Sequence, residues 1–188
     1  MPEYIYALLI AVPLGLVSFV SAFWGGIYRC LCFSELLKMI FAFTIFQAGM
    51  FSLGAWSGGS FANSIGWLSI PFAEVIIFLT GVKLIYFTIR MRPEQKSYNL
   101  AKNGELIAVS FASGLNAFML GLGLGLLRPF SDVKVIAILP AVILFSYFGN
   151  YMGKRQGRIF YVKFAGIISG IICFLLAVVL ALDFYALI

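Results

Sequence analysis

Three polar side chains lie deep inside long apolar stretches of this chain: Gln47, Glu74 and Asn116. A carboxamide offers both donors and an acceptor, so Gln47 and Asn116 are suited to bind a neutral or zwitterionic solute. Glu74 is suited to bind a proton or a cation, because an ionisable group among apolar residues is costly without such a role. The other interpretation of Glu74 is a carboxylate near a helix end that reaches the interface with water.

Small polar residues accompany the two amides at helical spacing. Thr44 precedes Gln47 by three residues and Ser113 precedes Asn116 by three, so each pair shares a helix face. One hypothesis is that such faces surround a hydrated path. The other is that they pack helices together, since small residues allow close approach and interhelical hydrogen bonds contribute about 1 kcal/mol or less. The candidate path residues are Gln47, Asn116, Thr44, Ser113, Ser21, Ser146 and Glu74.

Apolar helices must position these residues, and the composition is typical of a membrane protein. Apolar residues make up 63% of the sequence and charged residues 11%, whereas about a quarter of a globular protein is charged. A helix rises about 1.5 Å per residue, so about 20 residues cross a hydrocarbon core of about 30 Å. The sequence predicts six transmembrane helices, at residues 4–24, 36–56, 65–89, 106–127, 135–152 and 159–182.

Basic residues concentrate in alternate connections between the predicted helices. The first, third and fifth connections hold eight Lys and Arg residues, and the opposite side holds two. Because basic loops stay in the cytoplasm, both termini are predicted to lie outside a bacterial inner membrane. The net charge of +6 then indicates contact with lipid headgroups and not with nucleic acid. The eight are Arg29, Arg90, Arg92, Lys96, Lys102, Lys154, Arg155 and Arg158, and the two are Arg128 and Lys134.

A polar cytoplasmic linker, 91–105, divides the single membrane domain of residues 1–188 into two halves. The halves, 1–90 and 106–188, each hold three predicted helices, and an odd number inverts the second half relative to the first. Inverted repeats are typical of secondary transporters, whose sites lie near the midplane. Chance similarity between apolar segments is the other explanation. In the alignment residues 16–21 match 116–121 and residues 74–81 match 163–170, which makes Lys163 a candidate partner of Glu74.

The absence of histidine excludes several classes of enzyme. Histidine general bases and HExxH metalloproteases are impossible, so we expect no enzyme and no cofactor. Cys30 and Cys32 form a C-x-C pair in a predicted cytoplasmic loop, where two thiols alone make an incomplete metal site. Cys173 is predicted to be a buried apolar side chain, and we expect no disulfide.

The order of these features resembles the small bacterial manganese efflux pumps (MntP-type), within the lysine-exporter superfamily. The resemblance spans nearly the whole chain and implies an exporter with six transmembrane helices. The matching residues are Phe33-Ser34-Glu35 and Leu37, then Leu79, Gly81 and Lys83, then Asn116-Ala117 with Gly121 and Gly123, and finally Met152-Gly153-Lys154.

The acidic residues of that family are replaced in this chain. The family pattern has an aspartate in the first helix of each half and a glutamate in the second helix. By the resemblance, these positions are Leu16 or Ser18, Asn116 and Gln47. Mn²⁺ is a hard divalent ion that favours carboxylate oxygens, and neutral amides leave its charge uncompensated. The resemblance therefore implies the fold more directly than the substrate.

The sequence thus predicts an all-α integral membrane protein whose two inverted halves export a small solute or metal ion by alternating access. Gln47 and Asn116 would lie at its central site. Its expected partners are the lipid bilayer and the transported solute or ion. Gly121 and Gly125 form a GxxxG motif that joins helices either within one chain or in a homo-oligomer. The alternative function is a non-transporting membrane protein that serves as a partner or an assembly subunit.

Overall fold

The fold is built from α-helices. The computed structural model describes residues 3–28, 31–90, 99–127, 132–156 and 159–185, and these contain six α-helices, one 3-10 turn and no strand. The helices are α1 (Glu3–Tyr28), α2 (Phe33–Ile65), α3 (Ser69–Arg90), α4 (Asn103–Leu127), α5 (Asp132–Gln156) and α6 (Ile159–Tyr185), with the 3-10 turn (Gly66–Leu68) between α2 and α3.

The second helix is longer than the sequence predicts. The expected end at residue 56 is wrong, because α2 continues to Ile65. Ser57 and Ser60, which favour loops in sequence, donate their hydroxyls to the carbonyls of Leu53 and Trp56 one turn back. Such local bonds satisfy the hydroxyls without breaking the helix. The helix stops at Gly66, whose φ of 62° lies in the left-handed region that glycine adopts without strain.

Three prolines lie within helices of the described chain. Pro13 is inside α1 and Pro140 is inside α5. Pro71 lies in the first turn of α3. An N–H at that position has no partner within the helix, so the ring costs the helix nothing there.

The distribution of polar and apolar residues is that of a membrane protein. Large apolar side chains cover the outside, and Phe33, Trp56 and Trp67 are 76%, 71% and 81% exposed. Polar side chains such as Gln47 and Ser169 are fully buried inside. Four apolar segments of the described chain are long enough to cross a membrane, namely Ala7–Ile27, Phe33–Arg90 (which holds α2 and α3), Asn103–Leu127 and Phe160–Leu182. The predicted fifth span forms the helix α5 but is not among the four.

Glycines bring α1 against α5 and α2 against α4, the two most extensive helix pairs. In α5, Gly149 and Gly153 lie against the backbone of Phe19 and Phe23. In the other pair, Gly54 and Gly58 of α2 lie in the same way against α4, from Phe118 to Leu126. Residue numbers rise together along both contacts, so the helices of each pair run parallel.

The third helix crosses α6 and α4 in the opposite sense. Gly81 lies against Gly170, and Thr88, further along α3, lies against the earlier Gly166. Helices α3 and α6 are therefore antiparallel. The same holds for α3 and α4, because Ile77 meets Gly123 while Lys83 meets Asn116.

One residue at the described end of the predicted linker, Leu100, packs into the bundle. Leu100 is 2% exposed and lies against Gly25 of α1. The Asn99 N–H donates to the Glu105 carboxylate at 2.6 Å, and α4 already begins at Asn103. Several residues named in the sequence analysis lie outside the described residues: Arg29, Cys30, Arg92, Lys96, Arg128 and Arg158.

Close glycine packing predicts a position-dependent effect of adding one methyl group to α2. A Cβ at Gly54 would collide with the Phe118 carbonyl oxygen, whereas a Cβ at Gly49 meets nothing within 4 Å. We expect Gly54→Ala to lower the free energy of unfolding by about 1–3 kcal/mol. Gly49→Ala should raise it by about 0.5–1 kcal/mol, because alanine favours the helix. Unfolding in mixed detergent micelles measures both, and equal effects would contradict the close α2–α4 contact.

Candidate functional site

A buried amide links three helices at mid-depth. Gln47 of α2 is fully buried, and its Nε2 donates to Ser18 Oγ of α1 and Ser113 Oγ of α4, both at 2.7 Å. Both N–H groups of the carboxamide are thereby used. Its Oε1 is buried without a hydrogen-bond partner. The network therefore holds α1, α2 and α4 together and leaves one acceptor unsatisfied.

The second amide contacts a lysine. Asn116 of α4 accepts a hydrogen bond through Oδ1 from Lys83 Nζ of α3 at 2.9 Å, and both side chains are half-buried. Lys83 falls within the predicted helix 65–89 but is not among the predicted path residues. Its position inside an apolar stretch was the available signal, since an ionisable residue within a membrane span is by default a functional candidate.

A cavity of about 320 Å³ lies between α1, α3, α4 and α6, and Lys83 and Asn116 line it. Ser113 joins it to the Gln47 network, because the same side chain binds Gln47 and lines the cavity. No carboxylate of the described residues lines it, and Lys83 is its one charged lining side chain among them. The polar lining residues are Ser21, Lys83, Thr88, Ser113, Asn116 and Ser169.

Tryptophan positions divide into two groups. No tryptophan is among the predicted path residues, but Trp24 is 5% exposed and lines the cavity. Trp56 and Trp67 are exposed at the surface, as expected for the aromatic belts of membrane proteins. A position near a helix end does not tell whether a tryptophan lines the cavity or faces the outside, because that depends on the neighbouring helices.

Four predicted path residues do not line the cavity. Gln47, expected at the central site, contacts the cavity wall through Ser113. Thr44 is half-buried and donates its hydroxyl to the Ile40 carbonyl of its own helix. Ser146 of α5 is fully buried, and its Oγ has no hydrogen-bond partner. Glu74 is half-buried, and its Oε1 also lacks a partner. The suggested pairing of Glu74 with Lys163 is wrong, since Lys163 is exposed and forms no hydrogen bond with that buried oxygen.

The cysteine and carboxylate arrangement offers no preformed metal centre in the described part of the chain. No group of three or more Cys, Asp or Glu residues there could hold a metal ion. Cys32 is exposed at the start of α2, and Cys30, the other thiol of the C-x-C motif, lies outside the described residues. Cys173 is a free, fully buried thiol, as predicted.

Apolar helices around a polar, cationic chamber define a multi-pass membrane protein of the transporter class. A family described as "Putative manganese efflux pump" (Mntp) matches residues 30–181. The chain therefore belongs to the MntP family, and the resemblance noted from the sequence is confirmed.

Individual relatives agree over most of their length. A protein of Rippkaea orientalis is 29% identical over 141 residues, 75% of each chain. One from Parabacteroides distasonis is 28% identical and covers 82% of this chain and 84% of its own. One from Wolinella succinogenes is 31% identical, covering 66% and 68%. The first two are named "Putative manganese efflux pump MntP" and the third "Putative manganese efflux pump MntP 1". No solved structure matches the chain significantly.

The Gln47 network predicts a difference between two substitutions at one position. Gln47→Leu loses two interhelical hydrogen bonds, each contributing about 0.6 kcal/mol, and also removes the unpaired Oε1. We expect the free energy of unfolding to change by less than about 1 kcal/mol. Gln47→Ala leaves a void and should cost about 2–5 kcal/mol, as truncation of a large buried side chain does. Unfolding in mixed micelles compares the two, and a loss above about 3 kcal/mol for Gln47→Leu would contradict this balance.

Proposed function

We propose that this protein is an efflux transporter that carries a small solute through the cavity by alternating access between two inverted halves. The observation that carries the proposal is the cavity itself, where Lys83, Asn116 and Ser113 converge inside a bundle of apolar helices. Membership of an efflux-pump family supports the class of activity. Gln47 contributes through Ser113, by fixing the wall of the chamber.

The pairing of helices supports an inverted repeat. In an inverted repeat, α1, α2 and α3 of the first half correspond to α4, α5 and α6 of the second. The α1–α5 pair then corresponds to the α4–α2 pair, and the α3–α6 pair corresponds to itself. The α1–α5 and α4–α2 pairs are both parallel and use two glycines four residues apart, Gly149 and Gly153 in one and Gly54 and Gly58 in the other. Two unrelated halves would not need matching glycine contacts.

The α3–α6 crossing adds a second argument for the repeat. Gly81 and Gly170 are equivalent in the alignment of the two halves, and they contact one another. Equivalent residues meet where a two-fold axis passes between them. Transporters with inverted repeats have such an axis in the membrane plane, with the substrate site near it.

The location of the cavity supports loading from the cytoplasm. Trp24 and Thr88 lie in the last turns of α1 and α3, and Val109 and Gly166 lie early in α4 and α6. These helix ends lead to the first, third and fifth connections, which hold most of the basic residues and are predicted to be cytoplasmic. A chamber on that side is the conformation in which an exporter receives its solute.

The cavity is poorly suited to a bare divalent cation. The relatives are named for manganese efflux, but Asn116 contributes a neutral amide and Lys83 a positive charge. At an effective dielectric constant of about 20, a +2 ion about 5 Å from a +1 ion is repelled by about 7 kcal/mol. Hard divalent ions require carboxylate oxygens to offset such an electrostatic repulsion.

The proposed chamber predicts one-sided labelling of an introduced thiol. In a Cys30→Ser, Cys32→Ser background, we expect Ser21→Cys to react with a membrane-impermeant maleimide from the cytoplasmic side of inside-out vesicles, because Ser21 lines the cavity. Mass spectrometry measures the labelled fraction. The matched Ser146→Cys should stay unlabelled, as should the buried native Cys173.

Failure of Ser21→Cys to react from either side of the membrane would contradict the chamber. That result would favour the alternative function, a non-transporting subunit with a dry core. Reaction of Ser146→Cys as fast as Ser21→Cys would show general loosening of the bundle and would also count against a defined chamber.

Manganese handling gives a separate prediction about the solute. We expect cells with and without the protein to have equal manganese tolerance and equal intracellular manganese, measured by plasma mass spectrometry. The physical reason is the uncompensated positive charge of Lys83 in the chamber. Lower manganese in expressing cells, lost in Lys83→Met, would contradict this part of the proposal and leave the efflux activity in place.

A further inference from the structure

We propose that the cavity binds the carboxylate group of a small organic acid, with the Lys83 ammonium as its counter-ion and the apolar wall around its hydrocarbon part. This rests on the proposed function, because it names the class of solute that the chamber accepts. Three observations carry it: the charge of the lining, the partner that Lys83 now has, and the composition and size of the wall.

The lining carries one formal positive charge among the described residues. Lys83 lines the cavity, and no described Asp or Glu does. On the same helix, Glu74 is nine residues before Lys83, which is about 13 Å along the axis. A cation in apolar surroundings is stable only with a partner, so a chamber of this charge favours an anionic ligand.

The present partner of Lys83 is a neutral one. Its Nζ donates to Asn116 Oδ1 at 2.9 Å, and this amide oxygen has no net charge. A ligand carboxylate in the cavity would replace a neutral acceptor by a charged one, which adds the attraction between opposite charges to the hydrogen bond. The released Asn116 amide and the Ser113 hydroxyl remain available to the second carboxylate oxygen, whereas the Ser21 hydroxyl donates to the Val17 carbonyl of its own helix.

The remaining wall suits a hydrocarbon body. Val20, Trp24, Leu84, Phe87 and Leu115 line the cavity. Its volume of about 320 Å³ equals about ten water molecules, which accommodates an acid of six carbons. Because no described acidic side chain faces the cavity, an amino group on the ligand would meet only neutral acceptors. A simple carboxylate is therefore favoured over the matching amino acid.

Trp24 provides the reporter for a binding test. Because Trp24 lines the cavity while Trp56 and Trp67 are exposed, a Trp56→Phe, Trp67→Phe protein in nanodiscs has one fluorescent tryptophan, at the site. Three probes of one carbon skeleton are titrated at constant pH and ionic strength: 4-methylpentanoate, its neutral amide 4-methylpentanamide, and leucine. We expect saturable quenching by the acid, with the amide and leucine each at least tenfold weaker.

Variants in the same background distinguish the effect of the Lys83 charge on binding from an effect of misfolding. Lys83→Met removes the cation, and Asn116→Asp supplies a competing carboxylate beside it. Both should weaken 4-methylpentanoate binding at least tenfold. Lys163→Met removes an exposed lysine from α6 and should bind like the parent protein. A melting curve for each variant shows whether it is folded.

Several results would overturn the proposal. They are absence of saturable quenching by the acid in the parent protein, equal binding of acid and amide, and undiminished binding in folded Lys83→Met. The acid-to-amide comparison needs no substitution in the site, so it decides the matter even where Lys83→Met does not fold. Thiol labelling of Ser21→Cys tests the chamber separately, so a labelled chamber that ignores carboxylates rejects the ligand class alone.

Discussion

The hydrogen bond between Lys83 and Asn116 is the interaction on which the account depends. It places a cation inside a bundle of apolar helices and gives it a neutral acceptor at 2.9 Å. A lysine beside an aspartate would form a neutral pair, whereas a lysine beside an asparagine leaves the cavity positively charged. The chain belongs to a family described by manganese efflux, and the proposed change of solute class rests on this one contact.

The positions of these two side chains depend on how closely the helices approach. Glycines of α2 and α5 remove the side chains that would separate the paired helices, and Gly81 and Gly170 do the same where α3 crosses α6. The cavity opens between α1, α3, α4 and α6. All three close contacts join one half of the chain to the other, so they fix how the halves meet beside the cavity.

The sequence predicted the class of fold well because hydrocarbon imposes a simple length and composition rule on helices. It placed Gln47 on the transport path, whereas this amide is buried at a helix interface and does not line the cavity. The length of α2 was underestimated because Ser57 and Ser60 bond to their own helix. The contact of Gly58 with α4 also lies beyond residue 56, and local sequence does not reveal that neighbour.

The site was less accessible to sequence reasoning than the helices. Helical spacing shows which residues share a helix face, but not what that face packs against. Thr44, Ser146 and Ser21 were therefore predicted together, although of these three only Ser21 lines the cavity. Lys83 was visible as an ionisable residue in a span, yet its pairing with Asn116 needs the α3–α4 crossing. Trp24 likewise required the tertiary arrangement.

The charge state of Lys83 tests the central claim most directly. Nitrogen-15 NMR of protein labelled at lysine Nζ in nanodiscs, with Lys83→Met to assign the signal, reports whether this side chain is an ammonium ion. The account predicts an ammonium signal at neutral pH that shifts when 4-methylpentanoate is added and is unaffected by 4-methylpentanamide. A neutral amine signal, or one that responds equally to both probes, would contradict it.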